Sequence, residues 1–534
     1  MNEQENIEVK QTSRLDEWIF LYGPPGSGKS SVGRALSEAL RLPFVDADLE
    51  IERAEGMSIP EIFACQGEGG FRRIEKDTLR RMLTGKPGVL ALGGGALLDD
   101  ANRSLVSGCG TVVCLSASLE TLKGRLKYAA PNRPLLAGDL DSRLAGLLES
   151  RREHYASFPR QLRNEGIPLE QAAWQSQVLL GRFHVTGMGA GYDSCVLSGG
   201  LDELGGAIQL RGLRGPVALV SDENVGPLYG ERVKRSLQAA GLECRLVTIR
   251  AGEQHKNMAT VQQLWEGFLQ AGLERGSTVM ALGGGVTNDL AGFAAATFLR
   301  GVRWVTVPTS LLAMVDASLG GKTGADLPQG KNLVGAFYPP AFFLADPQAL
   351  DTLPEREKRC GMAEVVKGAV AADRGLLEIC SQGWGALEGH WSEIVPRAMA
   401  VKVHFIQLDP YEKGPRAALN LGHTIGHALE RVSDYRISHG EAVSIGTAAE
   451  ALLAERIGLA QAGLAEVIAS VLENLGLPTR IPSGLGWEAI VAAMQVDKKR
   501  QAGSLYFALP AAVGDVRAGV AVSREDLLSF GRCL

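Results

Sequence analysis

Two clusters in this chain have the residue types and spacing for chemistry. Near the start, Gly23-Pro24-Pro25-Gly26-Ser27-Gly28-Lys29-Ser30 fits the pattern GxxxxGK[ST]. In such a loop backbone N–H groups cradle phosphates, the lysine reaches the outer phosphates and the serine hydroxyl ligates Mg²⁺. Near the other end, His423 and His427 stand four apart in LNLGHTIGHALERV, whose apolar residues recur with a helical period, so both share one face. A lone HxxxH is more often an ordinary helix face. His439 in SHGEAV and Glu364 in GMAEVVK add imidazole and carboxylate donors suited to Zn²⁺. Three protein ligands leave positions open for a substrate, which is the mark of a catalytic site.

A third stretch, Gly276 to Tyr338, sets isolated charges among glycines and apolar runs. They are Asp289, Arg300, Arg303, Asp316, Lys322, Asp326 and Lys331. Burying one alone costs several kcal/mol, so each faces solvent or is held for a ligand. Lys322 follows Gly320-Gly321, and Lys331 follows Gly330 with Asn332 adjacent, where glycines let a backbone approach a ligand closely. TVMAL running into Gly283-Gly284-Gly285 and then a helical pattern suits an anion at a helix N-terminus. The stretch reads as the floor of a dinucleotide-plus-anion site. The glycines do not form GxGxxG, so alone they are weak evidence for a dinucleotide.

The elements that must position these residues follow from pattern. WIFLY is a buried-strand run before the phosphate loop, and SSVGRALSEAL a helix after it. In LPFVDADLEIE, Asp46 and Asp48 are expected on the same side of a strand end, one for a metal-bound water and one for substrate. Arg72 is expected in a loop-to-helix turn, Gly93-Gly94-Gly95 at a strand end, Arg133 on the proline-bounded PNRPLLAG, and Arg151 on a helix. Each arginine alone reads more readily as solvated surface. Together with the loop they describe a small kinase for an anionic, hydroxylated acceptor. A helical pattern between Asn164 and Arg182 closes this unit, and from His184 strand–turn–helix alternation begins again, as in a doubly wound α/β sheet. Asn224, Glu253 and Lys256 fall just past strand ends, where open parallel sheets bind ligands.

Bulk properties exclude several classes. At 534 residues the chain needs two to four domains. A hydrophobic fraction of 45% with 22% charged residues fits a soluble globular protein, and a net charge of −5 gives no sign of a nucleic-acid or membrane partner. No apolar run reaches the ~18 residues of a membrane span. The polar start is unlike a secretory signal, and the 8 cysteines form no CxxC pair. A reducing, cytoplasmic setting is expected.

The motifs then become specific. Residues 15–182 resemble shikimate kinase: GSGKS, DADLEIE, GMSIPEIF, GEGGFRRIE, LALGGGAL and RPLL stand in that family's order. The resemblance implies a P-loop domain with a parallel sheet in three αβα layers. It implies ATP and Mg²⁺ at Gly26, Ser27, Gly28, Lys29, Ser30 and Ser31, with Asp46 near Mg²⁺ and Arg125 near adenine. Shikimate would lie on Asp48, Arg72, Gly94, Gly95 and Arg151, and Arg133 would be a lid arginine on phosphate. Residues 184–534 resemble 3-dehydroquinate synthase, through GGGVTNDLAGFAAATFLRG, VPTSLLAMVDASLGGKTG, GKNLVGAFY, TLPEREKRCGMAEVVK and LNLGHTIGHALE with HGEAV. This implies an α/β NAD-binding part (184–350) and a mainly helical metal and substrate part (351–534).

On that resemblance Zn²⁺ (or Co²⁺) takes Glu364, His423 and His439, leaving His427 to handle protons. NAD takes Asp222, Asn224, Glu253, Lys256, Gly284, Gly285, Val286, Asp289, Thr309, Ser310, Asp316, Lys322 and Lys331. The heptulosonate phosphate takes Arg300, Lys322, Lys331, Asn332, Lys367, Lys402, Arg416, Asn420, His427 and Lys499 (or Lys498), with Asp316, Lys322 and His427 catalytic. The implied reaction converts 3-deoxy-arabino-heptulosonate 7-phosphate to 3-dehydroquinate and phosphate, with NAD⁺ regenerated in each cycle. A homodimer through this part is implied by the family only. Asp409-Pro410-Tyr411-Glu412, Ala325-Asp326 and the Gly368-Ala369 that follows Lys367 depart from the usual motifs. The alternative for this half, a metal-dependent polyol or alcohol dehydrogenase, shares the glycine cluster and histidine pair but does not need so many substrate cations.

Overall fold

The computed structural model describes residues 14–127, 139–497 and 504–531. The chain divides into two compact units, Met1–His184 and Val185–Leu534.

The first unit is built on β1 (Trp18–Tyr22), whose five residues are all buried. With β2 (Phe44–Asp46), β3 (Val89–Ala91), β4 (Gly110–Ser116) and β5 (Gln161–Arg163) it forms a parallel sheet in the order β2-β3-β1-β4-β5. Side chains of a strand alternate between faces. Accordingly Phe20 and Tyr22 join one apolar cluster with Leu79 and Tyr155, and Ile19 and Leu21 join another with Val32 and Leu36. Burying each such side chain contributes about 1.5–3 kcal/mol, which explains why β1 carries no charged residue. The helix Lys29–Leu40 starts directly from the phosphate loop, with Gly28 at φ 94° in the left-handed region.

Two local expectations are corrected here. Asp46 and Asp48 do not share a strand face: β2 ends at Asp46, whose side chain accepts from Asp48 N and Leu49 N and so caps the helix Ala47–Glu55. N-capping by the first aspartate ends the strand before the second. Arg72 lies inside the helix Ile59–Leu83 rather than at its start. In QGEGG the backbone is non-helical at Gly67 (φ 67°), so two helical segments meet there across a kink with no loop between them.

In the second unit, after β6 (Arg182–Val185) at the seam, the strands are β7 (Tyr192–Val196), β8 (Val217–Asp222), β9 (Cys244–Ile249), β10 (Thr278–Gly283) and β11 (Arg303–Pro308). They are followed by β12 (Lys322–Leu327), β13 (Gly330–Phe337) and β14 (Phe342–Ala345). The order β7-β14-β11-β10-β8-β9 is parallel at each pairing. The chain runs outward from β8 to β9 and returns beyond β8 as β10. That reversal opens a crevice at the carboxyl ends of β8 and β10. Strands β12 and β13 form a separate antiparallel hairpin pairing Lys322 with Phe337.

Helices then take over: Glu355–Ala372, Trp391–Leu408, His423–Val432 and His439–Arg456. Their approach is set by missing side chains. A Cβ on Gly440 would fall 2.4 Å from Cys360 Cα, and one on Gly446 would fall 2.0 Å from the Gly422 carbonyl oxygen. Among the described residues no helix is long and apolar enough to cross a membrane.

Candidate active sites

In the first unit the phosphate loop is held from behind. Lys29 Nζ donates to the Gly23 and Pro24 carbonyls at 3.0 and 3.2 Å. Ser30 Oγ donates to Asp46 Oδ2 at 2.5 Å, so the hydroxyl and carboxylate expected at Mg²⁺ are already adjacent. Arg125 donates to the Gly26 carbonyl (3.3 Å) and the Asn164 carbonyl (2.8 Å), and Asn164 Nδ2 donates to the Ser27 carbonyl (2.8 Å). Asn164 is buried and was missed in the sequence, where a single asparagine after a strand carries no signal.

Beside the loop, the Gly93-Gly94-Gly95 turn meets the acceptor residues. A Cβ on Gly93 would lie 3.2 Å from Asp48 Oδ1, and one on Gly95 2.6 Å from Arg72 Nη2. The Gly94 carbonyl accepts from Arg151 Nη1 (3.2 Å), Tyr155 Oη (2.7 Å) and Tyr22 Oη (3.3 Å). Asp48, Arg72 and Arg151 therefore all approach the Gly93-Gly94-Gly95 turn. Arg72 is aimed by buried Glu75, whose Oε2 accepts from Nη1 at 2.6 Å. Burial raises the Glu75 carboxyl, opposed by the Arg72 guanidinium. Glu75 too was missed, although the three-residue offset in FRRIE could have suggested it. Arg133 lies outside the described residues.

In the second unit, buried Glu364, on the helix Glu355–Ala372, is approached by two imidazoles. His423 Nε2 lies 3.6 Å and His439 Nε2 3.3 Å from Glu364 Oε1. The other ring nitrogens are tied back, His423 Nδ1 to the Leu421 carbonyl (3.1 Å) and His439 Nδ1 to Glu430 Oε2 (3.4 Å). Both rings thus turn Nε2 toward the carboxylate with Nδ1 tied back, as is usual for metal-ligating histidines. Neither Glu364 oxygen has a well-aligned hydrogen bond, though Lys367 pairs with Oε2. Burial, reinforced by Lys367, holds His423 down to about 3, so it stays neutral and can ligate. Burial works against the charge on His439, but Glu364 and Glu430 hold its pKa up to about 10, so a metal must displace that proton. This donor set fits Zn²⁺ or Co²⁺.

What aims these histidines is itself buried. Glu450 is fully buried, its carboxylate accepting from Gly422 N (2.6 Å) and Ile425 N (3.1 Å) at the start of the His423 helix. His439 opens its own helix behind a Ser438–Glu441 capping box. Glu450 and Glu430 were both missed: the Glu450 partners lie 25 and 28 positions away, whereas Glu430, nine residues before His439, could have been found three places after His427 on the same helix face.

A cavity of about 670 Å³ adjoins the triad, lined by Asp289, Asp316, Lys322, Asn332, Lys367, Lys402, Glu412, Arg416, Asn420, His423 and His427 among others. Asp316 lies in a single π-helical turn, Ala313–Ala317, and pairs with Lys402 and with Lys367 (3.8 Å). Burial opposes its charge, but Lys367 and Lys402 hold its carboxyl below the usual range. Arg416 is buried, donates Nη1 to the Pro410 carbonyl (2.7 Å), and has no well-aligned partner for Nη2. Burial, with Lys402 and Arg416 nearby, lowers Lys322 to about 8. Glu412 pairs with Lys322 and accepts from Asn420 Nδ2 at 3.1 Å. The segment before it is ordered by Asp409, whose carboxylate accepts from Lys413 N, Gly414 N and Arg416 N. Arg300 does not line this cavity, and Lys498 and Lys499 lie outside the described residues.

The cofactor candidates gather at the crevice. Asp222, ending β8, accepts from Asn224 N (2.9 Å) and Thr287 Oγ1 (3.1 Å). Thr309 N donates to the Gly283 carbonyl (3.0 Å), and a Cβ on Gly284 would face Ser310 Oγ at 3.6 Å. Gly285 and Val286 open the next helix. Lys256 Nζ pairs with Asp289 (2.6 Å) and donates to Asn332 Oδ1 (2.6 Å). The unusual Asp326 has a use: its carboxylate accepts from the N–H of Asn332, which sits at φ 53°.

Comparison with known proteins agrees with both units. Residues 25–175 match the family model for shikimate kinase, 246–360 that for the 3-dehydroquinate synthase N-terminal part, and 361–500 that for its C-terminal part. A 3-dehydroquinate synthase of Synechococcus sp. is 45% identical over 334 residues, 61% of this chain and 91% of that protein. A crystal structure of 2-deoxy-scyllo-inosose synthase complexed with carbaglucose-6-phosphate, NAD⁺ and Co²⁺ is 26% identical, with a TM-score of 0.61. The match covers 66% of this chain and 99% of that one. A 2-epi-5-epi-valiolone synthase from Streptomyces hygroscopicus subsp. jinggangensis, with NAD⁺ and Zn²⁺ bound, is 27% identical with a TM-score of 0.57, over 65% of this chain and 98% of that one.

Proposed function

The chain belongs to the 3-dehydroquinate synthase family and carries a shikimate kinase domain ahead of it, and on that premise we propose how its residues divide two reactions of one pathway. In the first, ATP phosphorylates shikimate. Gly26, Ser27, Gly28 and Ser31 cradle the nucleotide phosphates, and Lys29 neutralises the transferring group. Ser30 and Asp46 hold Mg²⁺, and Arg125 borders the adenine. Arg72 and Arg151 take the shikimate carboxylate, while Asp48, Gly94 and Gly95 take its hydroxyls. Arg133 is assigned to the phosphate from the resemblance alone.

In the second, the heptulosonate phosphate becomes 3-dehydroquinate. Bound at this site, Zn²⁺ or Co²⁺ supplies Lewis acidity to a substrate hydroxyl, and NAD supplies a hydride acceptor that also returns the hydride. Glu364, His423 and His439 hold the ion. Asp222, Asn224, Glu253, Lys256, Gly284, Gly285, Val286, Asp289, Thr309 and Ser310 hold the dinucleotide, and Asp316 and Lys331 contact both ligands. Lys322, Asn332 and His427 receive the phosphate, with Lys322 neutralising it and His427 moving protons as it leaves. Lys367, Lys402, Arg416 and Asn420 take the carboxylate and ring hydroxyls. Arg300 and Lys499 are assigned from the resemblance, as is a homodimer through this part. The cysteines described are free, which supports a cytoplasmic setting.

One observation carries the reading: the carboxylate–imidazole triad opens onto a cavity holding Lys322, Lys367, Lys402 and Arg416. A polyol dehydrogenase has no use for so many cations. Phosphate release and reduced-nicotinamide absorbance, followed together on the heptulosonate phosphate with NAD⁺ and Zn²⁺, test it. Phosphate without lasting NADH is expected. Stoichiometric NADH accumulation would favour the dehydrogenase reading.

A further inference from the structure

We propose that Glu430 is a positioning residue that couples the metal site to Lys331, so that an ion at the triad tightens NAD⁺ binding. This rests on the reading above of which residues hold the ion and the dinucleotide.

Glu430 follows His423 by seven residues and His427 by three, which puts all three on one stripe of the helix His423–Val432. Its side chain is only 8% exposed, and its two oxygens serve different partners. Oε2 lies 3.4 Å from His439 Nδ1, while Oε1 accepts from Lys331 Nζ at 3.3 Å. Because His439 turns Nε2 toward Glu364, the Nδ1–H is the proton it gives to Glu430, and that fixes tautomer and ring plane together.

Lys331, in turn, stands on the β13 strand of the hairpin. Its ammonium lies 3.6 Å from Glu253, just past β9, and 4.5 Å over the Tyr435 ring. The contacts His439–Glu430–Lys331–Glu253 therefore run from the metal ligands to the dinucleotide crevice. An ion on Nε2 makes the Nδ1–H a stronger donor, which holds Glu430 in the rotamer that presents Oε1 to Lys331. The lysine is then already placed when the cofactor arrives, and such coupling is reciprocal.

His427, Glu430 and His439 also have ligand atoms within 4.8 Å of one another, which raises a second cation as a rival use. The Lys331 ammonium already occupies Glu430 as its counter-ion. His439 could serve two ions only by losing both ring protons.

The test is calorimetric titration of NAD⁺ into the metal-stripped and the Co²⁺-loaded full chain, with Co²⁺ titrations alongside. In the wild type, Co²⁺ should tighten NAD⁺ by about fivefold or more. Glu430→Gln should abolish that gain and weaken Co²⁺ about 10- to 100-fold. Lys331→Met leaves the His439 contact in place, so it should keep wild-type Co²⁺ affinity while losing the metal-dependent gain. Wild-type Co²⁺ affinity and coupling in Glu430→Gln would overturn the proposal, as would NAD⁺ affinity indifferent to Co²⁺ in the wild type. Two Co²⁺ ions per chain would overturn it in favour of the second cation. A wild type that binds neither Co²⁺ nor NAD⁺ would overturn the functional reading beneath it.

Discussion

Replacing Gly440 by alanine should weaken metal binding by the second unit while leaving it folded. The new Cβ would lie 2.4 Å from both Cα and the carbonyl oxygen of Cys360. These are backbone atoms of a buried helix, so no rotamer change relieves the contact. Reaching an ordinary separation needs the two helices to part by about 1 Å, and overpacking of this kind costs about 1–3 kcal/mol. Gly440 follows His439 directly, and Cys360 stands one helical turn before Glu364, so the displacement is passed to the two ligands. Metal–ligand distances tolerate only about 0.2 Å. Co²⁺ affinity should therefore fall by at least about tenfold, the low end for changes that misplace a ligand. The assay is Co²⁺ titration by visible absorbance, with Gly385→Ala as control, since a Cβ there meets nothing within 4 Å. Gly440→Ala should keep shikimate phosphorylation, whose residues lie in Met1–His184. Wild-type Co²⁺ affinity in a folded Gly440→Ala protein would refute the idea that this crossing sets the ligand spacing.

Other expectations follow from the same geometry. His423→Ala should abolish phosphate release from the heptulosonate phosphate and leave ATP phosphotransfer intact; loss of both in steady-state assays would mean the two units are not independent. Lys322 has a pKa lowered to about 8 by burial and by Lys402 and Arg416, so its charge is present below that pH and lost above it. The synthase kcat/KM should accordingly fall as pH rises through about 8, and Lys322→Met should have a low kcat/KM without that limb. Glu75→Gln should raise the KM for shikimate about tenfold or more, because the guanidinium of Arg72 loses the buried carboxylate that aims it. An unchanged KM would show that Arg72 does not need Glu75.

What was legible in the chain was what lies close together along it. The phosphate loop is eight consecutive residues between a wholly apolar strand and a helix, and His423 and His427 are one helical turn apart. Local patterns misled where one side chain served two purposes. Asp46 ends its strand by capping the next helix, which moves Asp48 off the strand, and the break before Arg72 is confined to Gly67, where two helical segments join across a kink with no loop between them. The residues that aim the ligands were invisible for a different reason. Glu450 acts on backbone N–H groups 25 and 28 positions away, and Asn164 on a carbonyl 137 positions away. An anionic cap on a distant helix has no spacing rule, because any position that reaches the helix end will serve.

The pairing of Glu412 with Lys322 changes what it means for this cavity to bind an anion. On the proposed assignment, a phosphate entering there would not meet a bare cation; it would displace a tethered carboxylate in an exchange of counter-ions. A singly charged inorganic anion offers Lys322 little that Glu412 does not already provide, whereas a phosphate dianion offers more charge and more acceptor oxygens. The tether would thus act as a filter against background salt. It would also flatten the ionic-strength dependence of binding below what a count of the surrounding lysines suggests, because fewer free ions would be released. Product release would gain as well, since the departing phosphate would leave a lysine whose ionic partner, Glu412, stays beside it.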